Sequence, residues 1–394
     1  MSGPGARWIG EEERREVLAV LESGHLSRYG REDDPRFLRK VLTLEREFAS
    51  RVGVDHALGV NSGTSALLSC LLAMGLRPGD EVIVPAYTYV ASYTAVLFAG
   101  GVPILVDVDD SLTMDAEAVR AAIGPKTRFL LPVHMLGNPC DLDALGALAH
   151  EHGLAVLEDC AQAGGASFRG RPVGAHGAMG AFSFNVFKTI TAGDGGLLVT
   201  DDRQLYERAF AVHDQGHTPL RAGVEVGQRE ILGMNFRMNE LTGAVALAQL
   251  RKLDAILETL RRKKAAFRDA IGSLPGVRFR TIHDPAGECA TLLVLIFDHA
   301  ERAARAADAL GTTTLERSGW HVYRNMEHVL RRLSELGRPV PDLPRTDDLL
   351  RRCVNLSVGV VDPGLGAGVG IHLDASDQEI EATAARVRQA VAAA

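Results

Sequence analysis

From about residue 54 to residue 200 the chain alternates short apolar runs with stretches of helical period. The runs are 81–84, 103–106, 129–133, 155–157, 181–184 and 197–200, most of them rich in Val, Ile, Leu or Phe. Continuous apolar strands separated by helices predict a mostly parallel sheet buried on both faces. The intervening helices are predicted at about 64–75, 90–100, 115–123 and 141–152. After Asn239 a long helix is predicted to about Ile271, with Leu241, Val245, Ala248, Leu253, Ile256, Leu257 and Leu260 on one apolar stripe. Beyond it, 277–280 and 291–297 read as strands, and 299–310, 326–336 and 377–392 as helices. The expected organisation is α/β: a large domain over 1–255 with an N-terminal helical arm, then a smaller α+β domain over 256–394. Ligands of such parallel sheets collect at the C-terminal ends of the strands.

Composition narrows the function classes. At 394 residues the chain exceeds one ordinary domain. A net charge of −7 argues against non-specific nucleic-acid binding. The five cysteines are odd in number and scattered, with no C-x-x-C pair, so neither a zinc ribbon nor a disulfide framework is expected. The first residues are charged at 11–15 and lack an apolar signal core, and no apolar run reaches membrane-spanning length. No membrane association is expected, and the cytoplasm is the expected compartment.

Lys188 is the candidate reactive group. It follows an apolar strand and a serine in Phe182-Ser183-Phe184-Asn185-Val186-Phe187-Lys188 and precedes the turn Gly193-Asp194-Gly195-Gly196. An amine in apolar surroundings can become a nucleophile toward carbonyls. Upstream, the strand Ala155-Val156-Leu157 ends in Glu158-Asp159. A lysine that can link to an aldehyde and an acid for a pyridine nitrogen are what pyridoxal phosphate (PLP) needs. Asn61-Ser62-Gly63-Thr64-Ser65-Ala66-Leu67 opens a helix, where backbone N–H groups and the helix dipole suit a phosphate. Tyr89, in Pro85-Ala86-Tyr87-Thr88-Tyr89-Val90-Ala91-Ser92, lies just past a strand end and can stack on a flat ring. Each piece alone has a plainer reading: a surface lysine, a helix cap, a core aromatic. No Walker-A motif and no G-x-G-x-x-G is present, which disfavours a doubly wound NAD(P) enzyme.

Taken in order, these segments resemble the DegT/DnrJ/EryC1/StrS family of PLP-dependent aminotransferases, which have the fold-type-I architecture. Val133-His134-Met135-Leu136-Gly137, Glu158-Asp159-Cys160-Ala161-Gln162-Ala163 and Gly233-Met234-Asn235-Phe236-Arg237-Met238-Asn239-Glu240 carry the resemblance further. It implies that Lys188 carries PLP and shuttles a proton, that Asp159 pairs with the pyridine nitrogen, and that Gln162 binds the ring 3′-oxygen. Tyr89 would stack on the ring, and Gly63, Thr64, Ser65 and Ser183 would surround the phosphate. Asn235 would reach the neighbouring subunit's cofactor, which implies a homodimer with active sites at the interface. The implied reaction passes an amino group from L-glutamate, or L-glutamine, through pyridoxamine phosphate to a keto or aldehyde carbon of a sugar-like acceptor, in amino-sugar or antibiotic biosynthesis. In the family, histidine in place of the lysine gives a 3-dehydratase; here the lysine is kept. A dehydratase or lyase, or a PLP-binding regulator without turnover, remains the alternative. The segments Lys188–Gly196, 213–217, 250–254 and 320–323 are similar to the branch with aminotransferases for 8-amino-8-deoxy-octulosonate.

His213 and His217 are spaced i, i+4, but Gly216 and Pro219 break a helix there, and no metal site is expected. His134, His213, His217, Trp320, His321 and Tyr323 are candidates for substrate contact, each equally readable as packing.

Overall fold

The computed structural model describes residues 3–31, 33–219, 229–359 and 366–394. The strands, in chain order, are β1 (His56–Val60), β2 (Glu81–Pro85), β3 (Val102–Val106), β4 (Thr127–Leu130), β5 (Ala155–Asp159), the short hairpin β6 (Ser167–Phe168) and β7 (Arg171–Pro172), β8 (Met179–Ser183) and β9 (Gly196–Thr200). Seven of them form one sheet in the order β1-β9-β8-β5-β4-β2-β3. Only β9 runs against the rest, paired antiparallel to β8 on one side and to β1 on the other. The architecture is the expected α/β, fold-type-I arrangement, with helices Gly63–Ala73, Ala91–Phe98, Ala116–Ala122 and Leu142–His152 between strands.

Alternation across the pleat explains why the strands read as continuous apolar runs. Val82 and Val84 pack on one face with Leu67 and Leu71 of the first of these helices. Ile83, between them, packs on the other face with Val119, Leu145 and Leu148. The run expected over 129–133 pairs regularly only to Leu130. Pro132 has no N–H for the ladder, though its carbonyl still accepts from Asp159 N at 2.9 Å.

The long helix is Glu240–Ile271, and the Asn239 side chain caps it by accepting from Thr242 N at 3.0 Å. It passes through position 255 without a break. Its first turns bury Ala244, Leu247 and Leu250, whereas Leu241 and Val245 of the expected stripe are only half-buried. The N-terminal arm consists of helices Pro4–Arg7, Glu11–Ser23 and Lys40–Val52. It is tied to the long helix by a Lys252–Glu13 ion pair of 2.7 Å and by Gln249 Nε2 donating to Glu13 at 2.8 Å.

A second sheet follows: β10 (Val277–Phe279), β11 (Leu292–Phe297), β12 (Cys353–Val358) and β13 (Gly370–Ile371), in that order. Sequence periodicity anticipated β10 and β11 but neither β12 nor the edge strand β1. Helices Arg203–His213 and Pro344–Arg351 were also not anticipated. No helix among the described residues is long and apolar enough to cross a membrane.

Candidate active site

The C-terminal ends of β5 and β8, the start of helix Gly63–Ala73 and the first residues of a strand of the second sheet, Leu292–Phe297, enclose a cavity of about 560 Å³. Its wall includes Gly63, Thr64, Tyr89, Asp159, Gln162, Ser183, Lys188, Trp320 and His321. The sheet topology brings these together from segments up to 258 positions apart, counting from Gly63 to His321.

Asp159 ends β5 and is 4 % exposed. Ser92 Oγ donates to one carboxylate oxygen at 2.8 Å, and Ala161 N donates to the other at 3.1 Å. Thr88 Oγ1 lies 2.8 Å from Ser92 Oγ and extends the relay. Burial pushes the Asp159 carboxyl above its ordinary value; the Ser92 hydroxyl, the Ala161 N–H and the positive charge of Lys188 oppose that rise. Asp159 is thus a desolvated carboxylate that a further positive partner in the cavity would stabilise.

Lys188 stands in the loop after β8, and the loop is fastened through its backbone. Lys188 N donates to Asn185 O at 2.9 Å, and Ala192 N donates to Phe184 O at 2.9 Å. The extreme N-terminal residues lie against the same loop. Gly3 N donates to Val186 O at 2.9 Å and Gly5 N to Lys188 O at 3.3 Å. Glycine is required by this close approach, since a Cβ on Gly3 would sit 2.2 Å from Phe187 O.

At the helix start, Ser62 caps by accepting from Ser65 N at 3.1 Å, and Ser65 Oγ donates to Asn61 Oδ1 at 2.6 Å. Ser65 is therefore occupied in the cap and does not line the cavity, while Gly63 and Thr64 do. A Cβ on Gly63 would meet Ser183 Cβ at 2.7 Å. Gly63→Ala is expected to push the helix start away from Ser183 and to cost about 1–3 kcal/mol. Chemical denaturation checks this; a variant as stable as the parent would show that the contact is easily relieved.

Gln162 Oε1 accepts from Leu136 N at 3.0 Å, which leaves the Nε2 end of the carboxamide as its donor. Tyr89 is partly exposed, with its ring centroid 5.3 Å from that of His321. Trp320 is 63 % exposed at the cavity mouth. The segment carrying it is stitched to 87–90, with Thr88 N donating to His321 O at 3.0 Å and Val90 N to Trp320 O at 3.1 Å.

The remaining candidates do not reach the cavity of their own chain. His134 is buried against Glu158, with Nε2 3.1 Å from the carboxylate, and its Nδ1 accepts from Cys140 N at 3.1 Å. His213 is buried beside Phe210 O and Arg28, and burial together with the Arg28 charge lowers its pKa to about 3. His217 lies 3.2 Å from Arg229. Tyr323 is buried, with its hydroxyl donating to Asp347 at 3.3 Å. Asn235 is exposed and accepts from Arg237 N at 3.4 Å.

Among the described residues, His134, Glu158 and Cys160 bring possible metal-ligating atoms within 4.8 Å of one another. Glu158 already accepts from the backbone N–H groups of Gly174, His176 and Gly177 at 2.7–2.8 Å. The trio is thus a saturated hydrogen-bonded network behind Asp159. Sequence reasoning did not single out Thr88 and Ser92, nor Thr291 and Leu292, which β11 and its approach bring to the cavity wall. The i, i+4 spacing of Thr88 and Ser92 was visible, but nothing in it pointed to Asp159.

The sequence profile of the DegT/DnrJ/EryC1/StrS aminotransferase family matches residues 7–361. A dTDP-3-amino-3,4,6-trideoxy-alpha-D-glucose transaminase of Streptomyces venezuelae is 36 % identical over 317 residues, 80 % of this chain and 81 % of that protein. GDP-perosamine synthase of Caulobacter vibrioides is 39 % identical over 251 residues, 64 % of each chain. The crystal structure of 3-amino-5-hydroxybenzoic acid synthase superposes with a TM-score of 0.83 at 32 % identity, covering 98 % of this chain and 97 % of that one.

Proposed function

The chain belongs to the DegT/DnrJ/EryC1/StrS aminotransferase family and is a PLP-dependent aminotransferase acting on sugar acceptors, and we propose that L-glutamate or L-glutamine is its donor and a keto or aldehyde carbon of the sugar or sugar-like molecule its target. The pathway in this proposal is amino-sugar or secondary-metabolite biosynthesis. The observation that carries the reading is that Lys188 and the buried carboxylate of Asp159 face one cavity of about 560 Å³.

The residues present fit PLP. Asp159 is a desolvated carboxylate whose carboxyl is raised by burial, so a protonated ring nitrogen would offset the cost of its charge. Ser183 and the start of helix Gly63–Ala73 offer a hydroxyl and helix-end N–H groups for the phosphate. Gln162 Nε2 would be the donor for the ring oxygen, and Tyr89 would flank the ring. When bound, PLP supplies an aldehyde that links to amines and a ring that withdraws electrons from the reacting carbon. With PLP bound, Lys188 Nζ would hold the cofactor and would be the base that moves the proton at the substrate Cα. Asp159 would keep the ring nitrogen protonated, and the Thr88–Ser92 relay keeps Asp159 oriented. In this proposal the bound cofactor would carry the amino group between the two half-reactions.

A homodimer is also part of it. Asn235 is exposed and absent from the wall of its own chain's cavity, as a residue completing a partner's site would be. Its neighbours Leu232 and Met234 are 98 % and 59 % exposed, which suits a covered surface.

The test is the absorbance spectrum of the PLP-loaded protein before and after L-glutamate. The visible band is expected to give way to a near-ultraviolet one, with 2-oxoglutarate released in stoichiometric amount. A band unmoved by either L-glutamate or L-glutamine would overturn the donor assignment.

A further inference from the structure

Arg280 is a buried guanidinium, 4 % exposed, immediately after β10 of the second sheet. It reaches across to the turn that follows β4 and does not line the cavity itself. Its NH1 donates to Met135 O at 3.2 Å and its NH2 to Leu136 O at 2.8 Å. Thr291 Oγ1 donates to the same Leu136 carbonyl at 3.4 Å, and Cys289 N donates to Gly137 O at 2.9 Å. The second sheet and its approach thus grip the turn 135–137 at three successive carbonyls.

That turn is unusual in its backbone. Leu136 has φ 58° and ψ 32°, a left-handed conformation that a branched side chain adopts only where its surroundings hold it. Gly137 follows with φ 74°, and a Cβ there would meet Cys289 Cβ at 2.8 Å. The left-handed setting of Leu136 points its N–H at Gln162 Oε1, 3.0 Å away. An amide side chain has two ends that differ only in donor and acceptor character. Occupying the Oε1 end therefore decides that Gln162 presents Nε2 as its donor.

We propose that Arg280 is a positioning residue for the cofactor ring: by holding the Leu136 turn left-handed it fixes the Gln162 carboxamide with its donor toward the cavity. The role rests on the PLP reading above. A lysine in its place offers one ammonium head and no planar fork, and cannot span the two carbonyls with the same geometry. The second sheet thereby contributes to cofactor binding through the backbone of that turn. Burial lowers the pKa of Arg280, and the nearby Glu288 carboxylate, itself paired with Lys264, opposes that fall.

The experiment is a double-mutant cycle on PLP affinity, titrating cofactor-free protein with PLP and following the visible absorbance. Arg280→Met and Gln162→Ala are each expected to weaken PLP binding about tenfold. Together they are expected to weaken it by no more than about twentyfold, because the first acts through the second. A double variant weakened by the full product, about a hundredfold, would overturn the proposal, as would Arg280→Met binding PLP like the parent. If Arg280→Met does not fold, Arg280→Gln, which keeps one donor, replaces it in the same cycle. A parent protein that binds no PLP would overturn the cofactor reading and this role with it. Parent binding with additive losses overturns the Arg280 role alone.

Discussion

Lys188→Ala is expected to lower amino transfer by at least about a thousandfold while leaving the protein folded. The two halves of that expectation come from different atoms of one residue. Chemistry needs the Nζ, because both cofactor attachment and the proton transfer at the substrate carbon depend on an amine at this place on the cavity wall. The fold uses the backbone: Lys188 N donates to Asn185 O, and Lys188 O accepts from Gly5 N. Alanine keeps both bonds. Neighbouring anchors also survive, since Thr191 Oγ1 still donates to Phe184 O at 3.0 Å and Thr191 N to Gln249 Oε1 at 3.3 Å. The measurement is 2-oxoglutarate formation from L-glutamate, beside a thermal melt. A variant turning over like the parent would remove Lys188 from the chemistry. A melt lowered by many degrees would show that the side chain, and not only the backbone, holds the loop.

Much of the cavity wall is legible in the sequence, and the reason is local. Asp159 and Ser183 sit at the C-terminal ends of apolar runs and Lys188 just past one, and such ends are where a parallel sheet gathers its ligands. Gly63 and Thr64 sit at a helix start whose capping residue, Ser62, is itself a sequence signal. What escaped was set by contacts between distant segments. Ser92 and Thr88 look like ordinary small polar residues in an aromatic stretch, and only the fold, which sets Ser92 at the start of helix Ala91–Phe98 against the end of β5, brings its hydroxyl to Asp159 and Thr88 behind it. Thr291 enters the wall because the second sheet abuts the turn at 135–137. His213 and His217 show the opposite case: their spacing invited a functional reading, yet helix Arg203–His213 ends between them. His213 turns into a buried pocket with Arg28 and Phe210. The edge strand β1 escaped for a compositional reason, since His56-Ala57-Leu58-Gly59-Val60 contains a single β-branched residue.

Asp159→Asn should move rate and stability in opposite senses. In the cofactor-free protein the Asp159 carboxyl is raised by burial above its unfolded value of about 3.9. Between those two values the folded chain keeps a proton that the unfolded chain has released. Stability therefore falls as pH rises through that window and stays lower above it. At neutral pH Asp159 is thus a cost to the empty protein. Asparagine removes the charge and can keep both hydrogen bonds: Oδ1 accepts from Ala161 N, and Nδ2 donates to Ser92 Oγ, whose proton turns to Thr88 Oγ1. The cofactor-free variant is expected to melt at least as high as the parent at pH 7, with the difference closing as pH is lowered through the window. Catalysis goes the other way, because an amide cannot hold a proton on a ring nitrogen as a carboxylate does. Losing one such preorganised charge in a desolvated site is expected to lower the rate by about a hundredfold to a thousandfold. Saturation with PLP during the assay separates that loss from weakened binding. A rate equal to the parent's would show that Asp159 does not partner the ring. A cofactor-free variant melting several degrees lower would show instead that the carboxylate is a structural asset, and the raised carboxyl that supports its pairing with a cation would lose its force.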